Sequence, residues 1–189
     1  MRKILFLDID GVLNNLGRAL YINLINEYPT GDPIYKEGSF VREGWRGGDF
    51  SLDTLGCLAH IVEETKCEIV ITSTWRLGST LDELKALFPP IIGEKVIDKT
   101  ELLSVTSPVH KDVEGDPVRL SVARGREIDM WMKVNNVSNY GPDTIAILDD
   151  DLDMHPYLSY LVNTDAHVGL TYHKAEEVIK LLNKKDRGE

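Results

Sequence analysis

Two aspartates stand two residues apart in Ile4-Leu5-Phe6-Leu7-Asp8-Ile9-Asp10-Gly11-Val12-Leu13-Asn14. On a continuing strand alternate residues share a face, so Asp8 and Asp10 would project together. Carboxylates that close repel one another unless a cation or a proton lies between them. Gly11 lets the chain turn sharply just after them. Two further apolar runs end in polar pairs: Ile69-Val70-Ile71 stops at Thr72-Ser73, and Ile145-Ala146-Ile147-Leu148 stops at Asp149-Asp150. Three strands would then deliver carboxylates and hydroxyls to one edge, a donor set suited to a hard cation that prefers oxygen. The competing reading is a set of solvated turn aspartates. It suits a single Asp-Gly better than a pair pushed to a buried edge by an apolar strand.

The elements that must position these residues follow from periodicity. Residues 3–9 read as a buried parallel strand, 68–72 as a second, Thr144–Leu148 as a third and Leu161-Val162 as a fourth. A helix is expected at 15–27, followed by a loop-rich stretch to residue 50 that is dense in glycine and proline. Ser51 or Asp49 would cap a helix to about Lys66, with Leu52, Leu55, Leu58, Ala59 and Val62 on one face. A helix at 79–88 should stop at Pro89-Pro90. Val96-Ile97 and Leu102–Val105 read as short strands, and His110–Pro117 as a polar loop. A helix over 125–135 carries Ile128, Trp131 and Met132 on one side, and Thr171 would cap a final helix to about Lys184. Strands alternating with helices imply βαβ units and an α/β fold, a doubly wound, mainly parallel Rossmann-like sheet. Ligands of such sheets sit beyond the carboxyl ends of the strands, where Asp8, Asp10, Thr72, Ser73, Asp149 and Asp150 fall.

The chain has 189 residues, 42% apolar and 28% charged. That suits one domain over 1–189 carrying a small insertion at 15–50. No apolar run is long enough to span a membrane, and the N-terminus lacks the apolar stretch of a signal peptide. The expectation is a cytoplasmic protein. Cys57 and Cys67 have no zinc spacing and read as core thiols. A net charge of −10 opposes tight binding of extended nucleic acid. It leaves room for a small phosphorylated substrate, or for a nucleic-acid end in a locally positive pocket. A dinucleotide-binding oxidoreductase is set aside, because Asp-x-Asp-Gly occupies the turn where Gly-x-Gly-x-x-Gly would lie.

Asp8-x-Asp10-Gly-Val-Leu-Asn resembles the first motif of the haloacid dehalogenase-like (HAD) superfamily. Ile71-Thr72-Ser73 resembles the second, Arg124 before Gly125-Arg126-Glu127-Ile128 the third, and Leu148-Asp149-Asp150 the fourth, in the family's order over about residues 3–153. Ser73-Thr74-Trp75-Arg76, Arg124-Gly-x-Glu127-Ile128 and Gly169-Leu170-Thr171 resemble one subgroup, the HAD domain of Swiss Army Knife RNA-repair proteins. The resemblance implies a Mg²⁺-dependent phosphohydrolase. Asp8 would attack phosphorus to form an aspartyl-phosphate, with Asp10 as general acid and then base. Asp8, the backbone carbonyl of Asp10 and Asp150 would ligate the ion. Asp149 would orient Arg124 or reach the metal through water. Thr72 and Ser73 compete to grip phosphate, with Ser73 preferred. Arg124 would neutralise developing charge, with Arg126 read as a solvated helix residue.

Asn14, Trp75 and Arg76 are substrate candidates; for Trp75-Arg76 the alternative is an anchor for the following helix, and for Asn14 a loop hydrogen bond. Asp151 and Asp153 read as solvated loop carboxylates. The family places its first cap at about 15–50. Tyr21, Tyr35, Phe40, Trp45, Arg42 and Arg46 could stack and pair with a nucleotide there, although packing or loop-anchor roles are favoured for each singly. The substrate is expected to be a nucleotide or an RNA or DNA terminal phosphate. A sugar-phosphate substrate and a non-catalytic phospho-ligand domain are the alternatives, and transfer to an acceptor other than water stays open.

Overall fold

The computed structural model describes residues 2–15, 50–111, 117–137 and 144–184. The expected cap at 15–50, with its helix and its aromatic and arginine residues, lies outside the described residues apart from Asn15 and Phe50.

Among the described residues the main sheet is five-stranded and fully parallel: β1 (Lys3–Leu7), β2 (Glu68–Ile71), β3 (Val96–Lys99), β6 (Thr144–Asp149) and β7 (Leu161–Asn163), in the order β3-β2-β1-β6-β7. Lys-Ile-Leu-Phe-Leu forms the middle strand because both its faces are covered: Ile4, Leu5, Phe6 and Leu7 are all fully buried. Leu5 and Leu7 face helices α1 (Leu52–Thr65) and α5 (Tyr172–Leu182), packing in one core with Leu58, Ile61, Val178 and Leu182. Ile4 and Phe6 face α4 (Arg124–Val134) in a second core with Ile128, Trp131 and Met132. The rings of Phe6 and Trp131 meet edge-on at 5.5 Å and 84°, a favoured aromatic geometry. Burying each such side chain contributes roughly 1.5–3 kcal/mol, so the two cores hold the strand tips rigidly. The fold is therefore the expected doubly wound, Rossmann-like α/β sheet.

The chain winds outward from β1 through β2 to β3, then returns to the other side of β1 for β6 and β7. This reversal puts the crevice of the sheet at the carboxyl end of β1, where Asp8 stands.

Several elements differ from the sequence reading. Residues 79–88 do not form one helix. A turn of 3₁₀ helix over Thr74–Arg76 leads to α2 (Leu81–Lys85), capped reciprocally by Thr80 and Glu83. Pro89-Pro90 ends nothing further, because Pro90 opens a new short helix, α3 (Pro90–Gly93), a position where a missing N–H costs little. His110–Pro117 is not wholly a loop. Strand β4 (Ser104–Lys111) reaches His110, and β5 (Pro117–Ser121) pairs with it antiparallel, Val105 opposite Leu120. Pro108 within β4 and Pro117 at the start of β5 hid this hairpin, since proline argues against a strand except at edges and ends. Ser51 caps α1 and Thr171 caps α5, each accepting from an amide three residues on. Among the described residues no helix is long and apolar enough to cross a membrane.

Candidate active site

The site begins where β1 leaves the sheet. The Asp8 amide still donates to Leu148 O at 3.0 Å, so the ladder holds the chain up to that residue. Beyond it the amides of Val12, Leu13 and Asn14 converge on Ile9 O, and Gly11 adopts φ 70°. Glycine is required there twice over. The left-handed backbone disfavours any side chain, and a Cβ on Gly11 would lie 2.3 Å from Asp150 Oδ2. Thr164 Oγ1 donates to Gly11 O at 3.0 Å and Leu170 N to Val12 O at 2.8 Å, pinning the turn from the far strand. Gly169, at φ 76°, allows that approach, since its Cβ would sit 2.8 Å from Val12 O.

Three carboxylates converge at this edge. Asp8, Asp149 and Asp150 each offer an oxygen within 4.8 Å of the others'. Arg124 Nη1 lies 2.9 Å from Asp8 Oδ1 and 2.6 Å from Asp149 Oδ2. Among the described residues three carboxylates meet one guanidinium there, an excess of negative charge in a largely buried place. Burial pushes the Asp8 carboxyl up from 3.8 to about 6, against the opposing pull of Arg124. It pushes Asp149 to about 7, with the Asp8 charge adding to the rise. Burial also raises Asp150. For Arg124 burial acts in the opposite sense, but Asp149 and Asp8 more than offset it and hold the guanidinium above its usual range. The site thus calls for protons or for a cation.

Arg124 is placed by backbone packing. It is the first residue of α4, and its amide donates to Asp153 Oδ2 at 3.0 Å. Gly125 N donates to Asp153 O at 3.1 Å. A Cβ on Gly125 would fall 2.4 Å from His155 O, so only glycine lets the helix start abut the loop after β6. Asp153 is therefore more than a solvated loop carboxylate: although exposed, it caps the helix that presents Arg124. Sequence reasoning missed this because the cap comes from a residue 29 positions away.

Ser73 and Thr72 separate clearly. Ser73 lies close enough to Asp8 for its hydroxyl to pull that carboxyl's pKa down, and Ser73 Oγ accepts from Trp75 N at 3.4 Å. Thr72 Oγ1 is buried with no hydrogen-bond partner among the described residues. Of the two hydroxyls, Ser73 is the one that bears on the Asp8 carboxyl.

Asp10 forms a second cluster, and its carboxylate stands apart from the three converging acids. Trp75 Nε1 donates to both Asp10 oxygens at 3.0 Å, and Asn14 Nδ2 donates to Oδ1 at 2.8 Å. The Trp75 ring is tilted against Phe50 at 5.7 Å. Trp75 and Asn14, expected near substrate, thus hold and aim Asp10. Arg76, also expected near substrate, is instead buried and bonded to protein groups. Only 4% exposed, it donates to the carbonyls of Thr72, Ser73 and Thr100 and pairs with Glu127 at 2.6 Å. Arg126 is exposed on α4, as expected.

Comparison with known protein families matches residues 4–175 to the HAD domain in Swiss Army Knife RNA repair proteins. The chain belongs to this family. No curated protein and no solved structure matches it. The matched span of the HAD domain contains every residue of the site. In this HAD domain the carboxylates of Asp8, Asp149 and Asp150 fit a hard divalent ion in donor type and in spacing. The cradle is built for Asp150 in particular, because the space a Gly11 side chain would need is occupied by its carboxylate.

Proposed function

We propose that this HAD domain is a Mg²⁺-dependent phosphomonoesterase acting through an aspartyl-phosphate on Asp8. The observation that supports it best is the meeting of three carboxylates with Arg124 and Ser73 at the Asp8 side chain. Asp8, Asp150 and the backbone carbonyl of Asp10 would hold the ion. When bound, Mg²⁺ supplies positive charge that shields the Asp8 carboxylate from an anionic phosphate.

The chain's own residues then divide the work. An Asp8 oxygen attacks phosphorus while the bond from phosphorus to the leaving oxygen breaks with its electron pair. Asp10, aimed by Trp75 and Asn14, hands its proton to that oxygen. Ser73 donates to a phosphate oxygen, and Arg124 neutralises charge that builds there. Asp149 keeps Arg124 in place. In the second half Asp10 takes a proton from water, the water oxygen attacks phosphorus, and the bond to Asp8 breaks to release inorganic phosphate. Phosphate-monoester hydrolysis needs a barrier reduction of roughly 20 kcal/mol or more; one donor contributes about 3–4, so the whole set has to act together.

The substrate we favour is a nucleotide or a nucleic-acid terminal phosphate. The family's occurrence in RNA repair proteins supports this, and the net charge of −10 weighs against extended polynucleotides. The test is phosphate release from nucleoside monophosphates, end-phosphorylated oligonucleotides and sugar phosphates, with Mg²⁺ and with an Asp8→Asn control. Release from the sugar phosphates alone would move the substrate to small metabolites. No release above the control, together with tight phosphate binding, would favour a non-catalytic domain.

A further inference from the structure

Trp75 finds its role on Asp10, but Arg76 and Glu127 take no part in the chemistry described above. They are nevertheless the most deeply buried ion pair among the described residues, each side chain 3% exposed. Burial lowers the Arg76 pKa and raises that of Glu127, in both cases as the largest cause, opposed by the partner's charge. Such a pair is a poor device for stability, since desolvation consumes most of the attraction. Its geometry is more informative than its energy.

Arg76 spends its donors on the turn that carries Ser73. Nη1 donates to Thr72 O and to Ser73 O, the latter at 2.9 Å, and Nε donates to Thr100 O at 2.8 Å. The carbonyls that follow β2 and β3 are thereby gathered on one planar group. Glu127 lies on α4 three residues after Arg124, on the adjoining turn. Its Oε2 takes Arg76 Nη2 at 2.6 Å, and its Oε1 accepts the amide of Leu103, just before β4, at 3.0 Å. One ion pair therefore joins the Ser73 turn, the helix that presents Arg124, and the root of the β4–β5 hairpin.

We propose that Arg76 and Glu127 are positioning residues that set Ser73 and Arg124 in register around the Asp8 carboxylate. This deepens the phosphatase reading and rests on it for its kinetic test. The pair acts through Arg124 and Ser73 and touches no reacting atom. A shift of α4 against the β2 turn would part the hydroxyl from the guanidinium without removing either.

The test compares Glu127→Gln and Arg76→Lys with wild type, well below each protein's melting temperature. Positioning predicts that kcat falls about tenfold or more per folded molecule, with KM changed less. In an Arg124→Ala background Glu127→Gln should add clearly less than it costs alone, because Glu127 shares its helix with Arg124 and that half of the register is gone. If Glu127→Gln does not fold, Arg76→Lys, which keeps the charge and loses the planar fork, carries the comparison in a Ser73→Ala background, because Arg76 holds the Ser73 turn. A second readout needs no turnover: calorimetric binding of inorganic phosphate with Mg²⁺ should weaken in both variants. Wild type that binds phosphate without turnover, with binding weakened in the variants, keeps this inference and refutes the phosphatase reading. Unchanged kcat and unchanged phosphate affinity in the variants overturn the inference, as does a full additional loss in the Arg124→Ala background. Wild type that neither turns over substrate nor binds phosphate overturns both.

Discussion

Replacing Gly11 with alanine separates backbone strain from damage to the metal cradle, because a second glycine supplies the control. Gly11 and Gly78 both hold left-handed backbone, at φ 70° and 78°. Alanine in that region costs about 1–2 kcal/mol, so both variants should lose that much stability in urea denaturation. Only one should lose the metal. A Cβ at residue 78 meets nothing within 4 Å, whereas at residue 11 it lies 2.3 Å from Asp150 Oδ2. Restoring ordinary contact at 3.4 Å requires the carboxylate to retreat by about 1.1 Å. A metal site tolerates only about 0.2 Å in its ligand distances, so Asp150 would lose the ligand position proposed for it. Loss of even an outer partner weakens metal binding by about 10–100-fold. Gly11→Ala should weaken Mg²⁺ by at least that, read by calorimetry and by the Mg²⁺ dependence of phosphate release. Gly78→Ala should bind Mg²⁺ like wild type. Wild-type affinity in Gly11→Ala, or an equal loss in both variants, would refute the cradle argument.

Ser73→Ala should lower kcat by about 10²-fold or more, while Thr72→Val, which removes an unpartnered buried hydroxyl, should leave kcat near wild type and stability unchanged or higher by about 1 kcal/mol; steady-state kinetics and urea melts check both. Trp75→Phe keeps a ring against Phe50 and removes the donor to Asp10, so kcat should fall by about tenfold or more with little change in melting temperature. Gly56, exposed inside α1 with open space at its Cβ position, should gain about 0.5–1 kcal/mol of stability on mutation to alanine, seen as a higher urea midpoint at constant slope. In chelator, stability should fall as pH rises from about 4 to 7. Asp8 and Asp149 titrate at about 6 and about 7 in the fold but near 3.9 when unfolded, so the native state binds the extra protons in that window. Calorimetric melts across pH would show the fall, and Mg²⁺ should remove it.

The strand tips could be read from the sequence because a parallel strand buried on both faces is a continuous apolar run. Each run breaks abruptly at a polar group, which is how Asp8, Ser73, Asp149 and Asp150 announced a shared edge. Alternation with helices implied a parallel sheet, but the order of its strands emerged only in the structure. What stayed hidden was pairing between distant side chains. Nothing near Arg76 points to a carboxylate 51 residues later, and nothing near Asp10 points to an indole 65 residues away. Periodicity identifies a buried face; it does not identify the partner across it. The β4–β5 hairpin escaped for a different reason. Two strands form it, neither lies within the main sheet, and Pro108 stands in the first, so the alternation that marks a half-buried strand is weak. The helix expected over 79–88 broke because Thr80 with Glu83, and then Pro90, each started a helix of their own.

The position of β1 bears on how the molecule comes into being. Among the described strands the first in sequence lies in the middle of the sheet, and its neighbours are β2 at residues 68–71 and β6 at residues 144–149. Contacts this remote in sequence form slowly and late. Leu5 and Phe6 must wait, unpaired on one side, until most of the chain has been synthesised, and a stalled nascent chain would expose them to aggregation. The same order means that a truncated product ending before β6 lacks Asp149, the partner of Arg124, and Asp153, which caps its helix, so the cluster at Asp8 cannot assemble.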